Sequence, residues 1–112
     1  MTLVTQVATT GAPEISRPDA ARVIAGDPVH STWLTEERDG LWAGVWQSTP
    51  GTWRVLYEEW EYFRLTSGVS ILTPDGGAPI RLSTGDAWII RPGFSGTWDV
   101  VETTRKDFVI RL

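Results

Sequence analysis

Hydrophobic residues between Trp42 and the carboxyl end of the chain fall in short stretches that glycine, proline and aspartate interrupt. Within these stretches, valine, isoleucine and aromatic residues often occupy every second position, which is the period of a β-strand with one buried face. We predict strands at about 42–48, 52–57, 61–66, 69–73, 79–82, 86–90, 96–101 and 104–111. Eight short strands joined by tight turns predict an all-β fold, a single barrel or jelly roll.

The first 32 residues show no sustained hydrophobic period and mix threonine, glycine, proline and aspartate. We therefore predict an irregular N-terminal arm over residues 1–32 and one β-barrel domain over residues 33–112. One helical turn is expected in the arm, from Pro18 and Asp19 to Gly26, because proline and aspartate favour a helix start and glycine a helix end.

The alternation also predicts which side chains point into the barrel. In the segment 53–65, Glu61 shares its parity with Trp53, Val55, Tyr57, Phe63 and Leu65. In the last strand, Lys106 shares its parity with Phe108 and Ile110. Because successive side chains of a strand point to opposite faces, Glu61 and Lys106, the only lysine of the chain, are both predicted to point inward.

Seven tryptophans are present in the chain, and two of them fall on the outward parity. These are Trp60 and Trp88, so an aromatic patch is predicted on the outside of the barrel. Exposed patches of this kind usually mark a subunit interface, and we expect a homodimer.

Composition narrows the class of protein further. A chain of 112 residues has room for one domain, and the absence of cysteine excludes disulfides and thiolate metal sites. The formal net charge of −4 disfavours nucleic acid as a partner, because the phosphates would repel it. No apolar run reaches the roughly 18 residues of a membrane span. The first residues also lack the order of a secretion signal, so we expect a cytoplasmic protein with no membrane partner.

Two stretches of the chain, 50–68 and 85–98, hold glycine, proline and acidic residues at motif-like spacings. They resemble the two sequence motifs of the cupin superfamily. The closer resemblance is to the (S)-ureidoglycine aminohydrolase cupin-domain family, to which the small ethanolamine-utilisation cupins are similar. The residues that carry it are Gly44-Val45-Trp46, Pro50-Gly51, Trp53-Arg54, Glu61, Gly68, Gly85-Asp86, Pro92-Gly93-Phe94, Gly96-Thr97-Trp98 and Arg105-Lys106. The resemblance implies an RmlC-like jelly roll, a dimer, and a bias towards ureide or amine metabolism.

The resemblance also locates the positions where most cupins hold a metal ion. The three histidine positions are occupied by Val55, Tyr57 and Gly96, and only the glutamate ligand is kept, as Glu61. Divalent ions need several imidazole or carboxylate ligands to offset their dehydration. His30, the only histidine, lies in the arm and would restore one ligand at most. We therefore predict that the site binds no metal and uses no cofactor.

What remains at this site is a pocket with apolar walls and a few polar groups, which is typical of small-molecule binding. Its predicted lining is Trp46, Val55, Tyr57, Glu61, Arg91, Trp98 and Lys106. As a catalytic pair, Glu61 would act as general acid or base and Lys106 as its electrostatic partner. Tyr57 would donate its hydroxyl to the ligand, and Trp98 would form a stacking wall.

Each of these residues also has a purely structural interpretation. Glu61 and Lys106 would then form an ion pair that fixes strand register, since structural pairs occur at such positions as well. Trp46 and Trp98 would fill the core, and Arg91 would be a surface arginine. Two functions follow: a metal-independent small-molecule-binding protein, with or without enzymatic turnover of an amine, ureide or carboxylate, or a non-enzymatic sensor or accessory dimer.

Overall fold

The structure is a computed structural model that describes residues 2–112, which form one nine-stranded antiparallel sheet. The strands are β1 (Glu14–Ser16), β2 (Val23–Gly26), β3 (His30–Arg38), β4 (Leu41–Ser48), β5 (Gly51–Leu56), β6 (Trp60–Pro74), β7 (Ile80–Ser83), β8 (Ala87–Ile90) and β9 (Ser95–Arg111). The described residues contain one short 3-10 turn, Ala20–Arg22, and no helix with the length and apolarity to cross a membrane. The predicted all-β fold is confirmed.

Strand β9 organises the sheet because it pairs along both of its edges. On one edge its amino-terminal half pairs with β5 and its carboxyl-terminal half with β4, while β6 follows the other edge. The outer edge of β6 pairs with β8 and then with β7. Beyond β4 the sheet continues with β3 and β1, and beyond β5 it continues with β2. The sheet curls, so alternate side chains of β4, β5, β6 and β9 share one interior.

Two of the predicted strand breaks are wrong, because β6 and β9 are each continuous. Ser67-Gly68 does not reverse the chain. It forms an irregularity in β6, where the register against β9 shifts between Leu65 and Ser70. Gly68 has a φ of 90°, and a β-carbon there would overlap the carbonyl oxygen of Thr103 in β9. The glycine therefore lets a bulged strand pass close to its neighbour without a turn.

The N-terminal arm is more regular than its sequence predicts. β1 pairs with β3, β2 pairs with β5, and β3 begins at His30, so a strand crosses the predicted boundary between residues 32 and 33. The expected helical turn is present but short, Ala20–Arg22, with the Asp19 carboxylate accepting the Ala21 N–H at 3.1 Å. Most residues of β3 are polar, so pairing with β4 stabilises a strand that hydrophobic alternation does not reveal.

Large apolar side chains of β5 to β9 fill the interior. The buried set is Trp53, Phe63, Leu65, Leu72, Leu82, Ile90, Trp98, Val100 and Phe108. Removing such side chains from water contributes about 25 cal/mol per Å² of apolar surface, which makes this cluster the main source of stability. Trp98 lies at its centre and is 1% exposed, with its indole N–H donating to Ser70 Oγ at 3.2 Å.

The predicted outer patch does not form from Trp60 and Trp88 together. Trp88 lies opposite Phe63 in the pairing of β6 with β8, and paired residues point to the same face of a sheet. Trp88 therefore shares the face of the buried Phe63. Trp60 lies three residues before Phe63 in β6 and points to the other face. Trp88 is still 39% exposed because β8 pairs only with β6 and lies at the sheet edge.

Candidate functional site

A cavity of about 390 Å³ lies among β3, β4, β5, β6 and β9. Its walls are mainly apolar, and four of the seven tryptophans line it: Trp42, Trp46, Trp53 and Trp98. The predicted site residues Val55, Tyr57, Glu61 and Lys106 line the same cavity. The structure thus brings together every predicted site residue except Arg91.

Arg91 lies elsewhere on the molecule. It is exposed and contributes to a surface groove beside Trp88, Ile89 and Pro92, away from the cavity. It follows the last residue of β8, whose outer edge has no partner strand. The prediction that Arg91 belongs to the pocket is therefore not supported by its position, and its surface interpretation fits the structure.

Three polar side chains form a hydrogen-bonded chain at the cavity wall. The Tyr57 hydroxyl donates to Glu61 Oε1 at 2.7 Å, and the Lys106 ammonium meets Glu61 Oε2 at 2.9 Å. Glu61 and Lys106 are only 2% and 5% exposed, so the inward direction predicted for both is confirmed. In the pairing of β6 with β9, Lys106 lies opposite Leu65. Leu65 follows Glu61 by four residues in β6 and points to the same inner face. Long side chains bridge that spacing.

The ammonium of Lys106 is enclosed by aromatic rings. Its nitrogen lies 4.7 Å from the ring centre of Trp46, 4.7 Å from that of Phe63 and 4.6 Å from that of Trp98. Ring faces attract cations at this distance, most strongly where water is excluded. Trp46 and Trp98 therefore have a role beyond core packing, because together with Glu61 they stabilise a buried positive charge.

Tyr57 is held in place by the turn that carries the second motif. It follows directly after β5, and its backbone N–H and C=O bond to Phe94 O at 2.9 Å and to the Gly93 N–H at 2.7 Å. Burial raises the pKa of the phenol well above its usual value, and the negative charge of Glu61 raises it further. The hydroxyl therefore stays protonated and acts as a hydrogen-bond donor to Glu61.

His30 also lines the cavity, although the sequence predicts it in the N-terminal arm and not in the pocket. Its ring lies between Trp46 and Trp53, with centroid distances of 5.0 and 4.8 Å. Nε2 is buried and has no hydrogen-bond partner among residues 2–112. Burial, followed by the positive charge of Lys106, lowers the pKa of His30 to about 4, so the ring is neutral at pH 7. The sequence contains one signal for the inward direction of His30: it alternates with Thr32 and Leu34, and all three line the cavity.

His30 is expected to make stability pH-dependent. Its pKa is about 4 in the folded state and about 6.5 when unfolded, so between these values the unfolded chain binds more protons and stability falls as the pH falls. Between pH 7 and pH 4, we expect the free energy of unfolding to fall by about 1–2 kcal/mol more in the parent than in His30→Phe. The difference is no larger because the ring of His30 keeps some contact with water. Urea unfolding of both proteins at several pH values measures this. Equal losses would contradict the neutral, buried ring.

The residues at the cupin metal position do not fit a metal ion. Val55 offers no ligand atom, and the charge of Glu61, the one carboxylate at this position, is paired with the ammonium of Lys106. A β-carbon at Gly96 would overlap the carbonyl oxygen of Thr73, so this backbone has no space for a histidine there. Within the described part of the chain, no three histidine, aspartate or glutamate side chains are grouped to hold a metal. An ammonium in an aromatic enclosure lies beside the retained glutamate.

Similarity to known proteins agrees with the fold. Residues 35–108 match the family of EutQ-like cupin domains. A protein of unknown function of the DUF861 family from Pseudomonas syringae pv. tomato is 26% identical, with a TM-score of 0.80 over 88% of this chain and 43% of that protein. The EutQ protein of Clostridium difficile is 18% identical, with a TM-score of 0.67 over 75% of this chain and 63% of its own.

A putative ethanolamine utilization protein Q from Salmonella typhimurium is 16% identical, with a TM-score of 0.65 over 90% of this chain and 98% of that one. The chain spans less than half of the Pseudomonas protein and under two thirds of the Clostridium protein. A search of the curated proteins gives no match. The family match covers more than half of the residues, in the part of the chain that forms β4 to β8 and most of β9. This chain belongs to the family of EutQ-like cupin domains.

Proposed function

We propose that the chain binds a small organic molecule in the barrel cavity without the help of a metal ion. The observation that carries the proposal is the chain of hydrogen bonds from Tyr57 through Glu61 to Lys106 in the wall of a cavity of about 390 Å³. Small-molecule sites are commonly cavities of roughly 300–1,000 Å³ with apolar walls and a few convergent polar groups. The apolar walls and this polar chain match that description.

The polar chain has hydrogen-bonding capacity left for a ligand. One N–H of Lys106 is directed to Glu61, and an ammonium group has three donors in all. Each oxygen of the Glu61 carboxylate accepts one bond from the protein, although it has lone pairs for two. A ligand that enters the cavity would therefore meet a donor and an acceptor at the same wall, with Trp46 and Trp98 beside them.

The same arrangement supports proton transfer as the chemistry of a bound molecule. Glu61 would exchange a proton with the ligand, and Lys106 would stabilise the negative charge on the carboxylate. The resemblance to the (S)-ureidoglycine aminohydrolase cupins adds amines and ureides to the expected ligand classes. A homodimer acting in the cytoplasm belongs to this proposal, because the small-cupin resemblance and the composition favour it.

Indole resonances provide the test of cavity binding. We expect a millimolar panel of benzylamine, phenylurea and phenylacetate to contain at least one compound that shifts the indole N–H signals of cavity tryptophans in nitrogen-15 NMR spectra. The protein provides its own internal reference, because three tryptophans do not line the cavity: Trp33, Trp60 and Trp88. Shifts confined to these three, or no shift with any compound, would contradict the proposal.

Two neighbouring residues of β5 offer a matched pair of variants. Val55 lines the cavity, whereas Leu56 points the other way and is 51% exposed. Val55→Trp is expected to fill the cavity and abolish the indole shifts, and Leu56→Trp, with the same bulk added outside, is expected to keep them. Binding that survives Val55→Trp unchanged would place the ligand elsewhere.

The alternative function, an accessory or sensor subunit, is supported by one observation. Trp88 and Ile89 are 39% and 43% exposed on the two faces of β8, which among residues 2–112 pairs only with β6. An unpaired strand edge with exposed apolar side chains favours association with another chain. This function predicts that no compound of the panel shifts the cavity indoles, so the same experiment separates the two.

A further inference from the structure

Negative charge dominates the lining of the cavity. Four glutamates line it, Glu14, Glu37, Glu59 and Glu61, whereas Lys106 is the one basic lysine or arginine side chain that the described residues contribute to the lining. Lys106 is paired with Glu61, which offsets part of its charge, and the remainder contributes to the lowered pKa of His30. The other three glutamates form no ion pair with any of residues 2–112. A ligand entering the cavity therefore approaches three carboxylates that have no ion-pair partner among residues 2–112.

The walls of the cavity also suit a cation. Trp42 and Trp53 line it in addition to Trp46 and Trp98, and indole faces attract positive charge. Two of the lining tryptophans already contact a cation, because the ring centres of Trp46 and Trp98 lie 4.7 and 4.6 Å from the ammonium of Lys106. Negative charge at a low-dielectric cleft and the aromatic faces within it both favour the binding of a cation.

His30 adds a hydrogen-bonding atom to this cavity without adding positive charge. Its buried Nε2 has no partner among the residues that the structure describes, and a buried polar atom without a partner is unfavourable until a ligand or water satisfies it. A neutral imidazole has one nitrogen that accepts a hydrogen bond. The N–H of an organic ammonium is a suitable donor for that nitrogen, and the flanking Trp46 and Trp53 provide the faces for its charge.

We propose that the cavity selects small organic cations, meaning an ammonium group on an apolar body, over neutral and anionic molecules of the same shape. The proposal rests on the proposed function, since it names the class of molecule that the cavity takes. Glu14, Glu37 and Glu59 attract the cation, the tryptophans surround its apolar body, and His30 accepts a hydrogen bond from its nitrogen. An anion would meet the repulsion of these glutamates, and the one cation of the described lining, Lys106, is already paired with Glu61.

Three probes of similar shape and different charge test the selection: benzylamine, benzyl alcohol and benzoate. Isothermal titration and the indole signals measure their affinity and place them in the cavity. Three unit charges at several ångströms in a water-rich mouth each change affinity about twofold to threefold, so benzylamine is expected to bind roughly tenfold more tightly than benzyl alcohol. Benzoate is expected to bind most weakly, and added salt to reduce the difference.

The chain supplies matched charge controls for the glutamates. Glu37 and Glu59 line the cavity, whereas their neighbours Glu36 and Glu58 do not. Glu36 and Glu37 are both exposed, so they form the more closely matched pair. Glu37→Gln and Glu59→Gln are each expected to weaken benzylamine about twofold to threefold while leaving benzyl alcohol unchanged. Glu36→Gln and Glu58→Gln change the net charge equally and are expected to have a clearly smaller effect.

The outcomes separate this proposal from the more general one. Equal affinities for the three probes, or tighter binding of benzoate, with cavity indoles shifted, would overturn the selection for cations and leave small-molecule binding intact. Equal effects of Glu36→Gln and Glu37→Gln would also overturn it, because the charge would then act without regard to the cavity. If no probe shifts a cavity indole, binding in this cavity and its selectivity are both refuted.

Discussion

Lys106→Met is expected to lower the free energy of unfolding by about 3–5 kcal/mol, because it leaves a buried carboxylate without its ionic partner. Methionine has a similar length and keeps the apolar contacts with Trp46 and Trp98. What is lost is the ammonium 2.9 Å from Glu61 Oε2, in a place where Glu61 is only 2% exposed. Urea unfolding at pH 7 measures the difference, and a loss below about 1 kcal/mol would show that the pair contributes no more than a surface ion pair.

A double-mutant cycle with Glu61→Gln isolates the pair from other effects of the substitutions. Glutamine keeps an oxygen that can accept the Tyr57 hydroxyl but carries no charge, so Lys106→Met combined with Glu61→Gln leaves no buried charge unpaired. We expect the double variant to lose less stability than the sum of the single variants, with a coupling of about 1–3 kcal/mol. Additive losses would contradict a direct interaction.

The double variant also distinguishes the two roles that the sequence leaves open for this pair. If Glu61 and Lys106 only fix the register of β6 against β9, the double variant binds the same probes as the parent. If they contact the ligand, the double variant remains folded but loses the shifts of the cavity indoles. The buried ion pair by itself is compatible with both roles, since structural pairs and functional pairs are built from the same contacts.

Gly96→Ala is expected to destabilise the protein by about 3 kcal/mol, which is at the upper end for overpacking a tightly packed site. The reason is the approach of β6, because a β-carbon at Gly96 would overlap the carbonyl oxygen of Thr73 and lie 3.0 Å from Phe94 Cζ. The carbonyl belongs to a strand in the middle of the sheet, so the overlap is relieved only if the paired strands β6 and β9 move apart. Thermal or urea unfolding gives the magnitude.

Gly77→Ala is the matched control for this substitution. Gly77 has no positive φ, and its nearest contact would be the Pro74 side chain at 3.2 Å, in an exposed turn that has room to adjust. We expect a loss below about 1 kcal/mol there. If Gly96→Ala is tolerated as well as Gly77→Ala, the close approach of β6 does not exclude a side chain. The absence of a histidine at position 96 would then need another explanation.

The direction of the site residues followed from the sequence because strand alternation is local. Within β6, the period of two that places Phe63 and Leu65 in the core also places Glu61 on their face, and no long-range information is needed. The same holds for Lys106 beside Phe108. Both residues are buried as predicted, and they meet in an ion pair. The cupin motifs likewise depend on short spacings, which is why their match located the lost ligand positions.

Which strands pair, and where the sheet ends, was decided by tertiary structure. His30 enters the cavity because β3, whose residues are mostly polar, pairs with the largely apolar β4, and the sequence of β3 alone does not specify that partner. Trp88 and Arg91 are exposed because β8 has no second partner, and the sequence of β8 resembles that of a buried strand.

Sequence by itself determined the all-β fold and the inward Glu61 and Lys106, since each depends on neighbours within a few residues. The assignment of Val55, Tyr57 and Gly96 to histidine positions rests on the cupin resemblance and stays a prediction. Tertiary structure decided the rest. It joined four predicted strands into β6 and β9, placed His30 between two tryptophans, and kept Arg91 out of the cavity. The physical reason is that pairing partners and sheet edges are set by contacts between distant segments, which a local period does not contain.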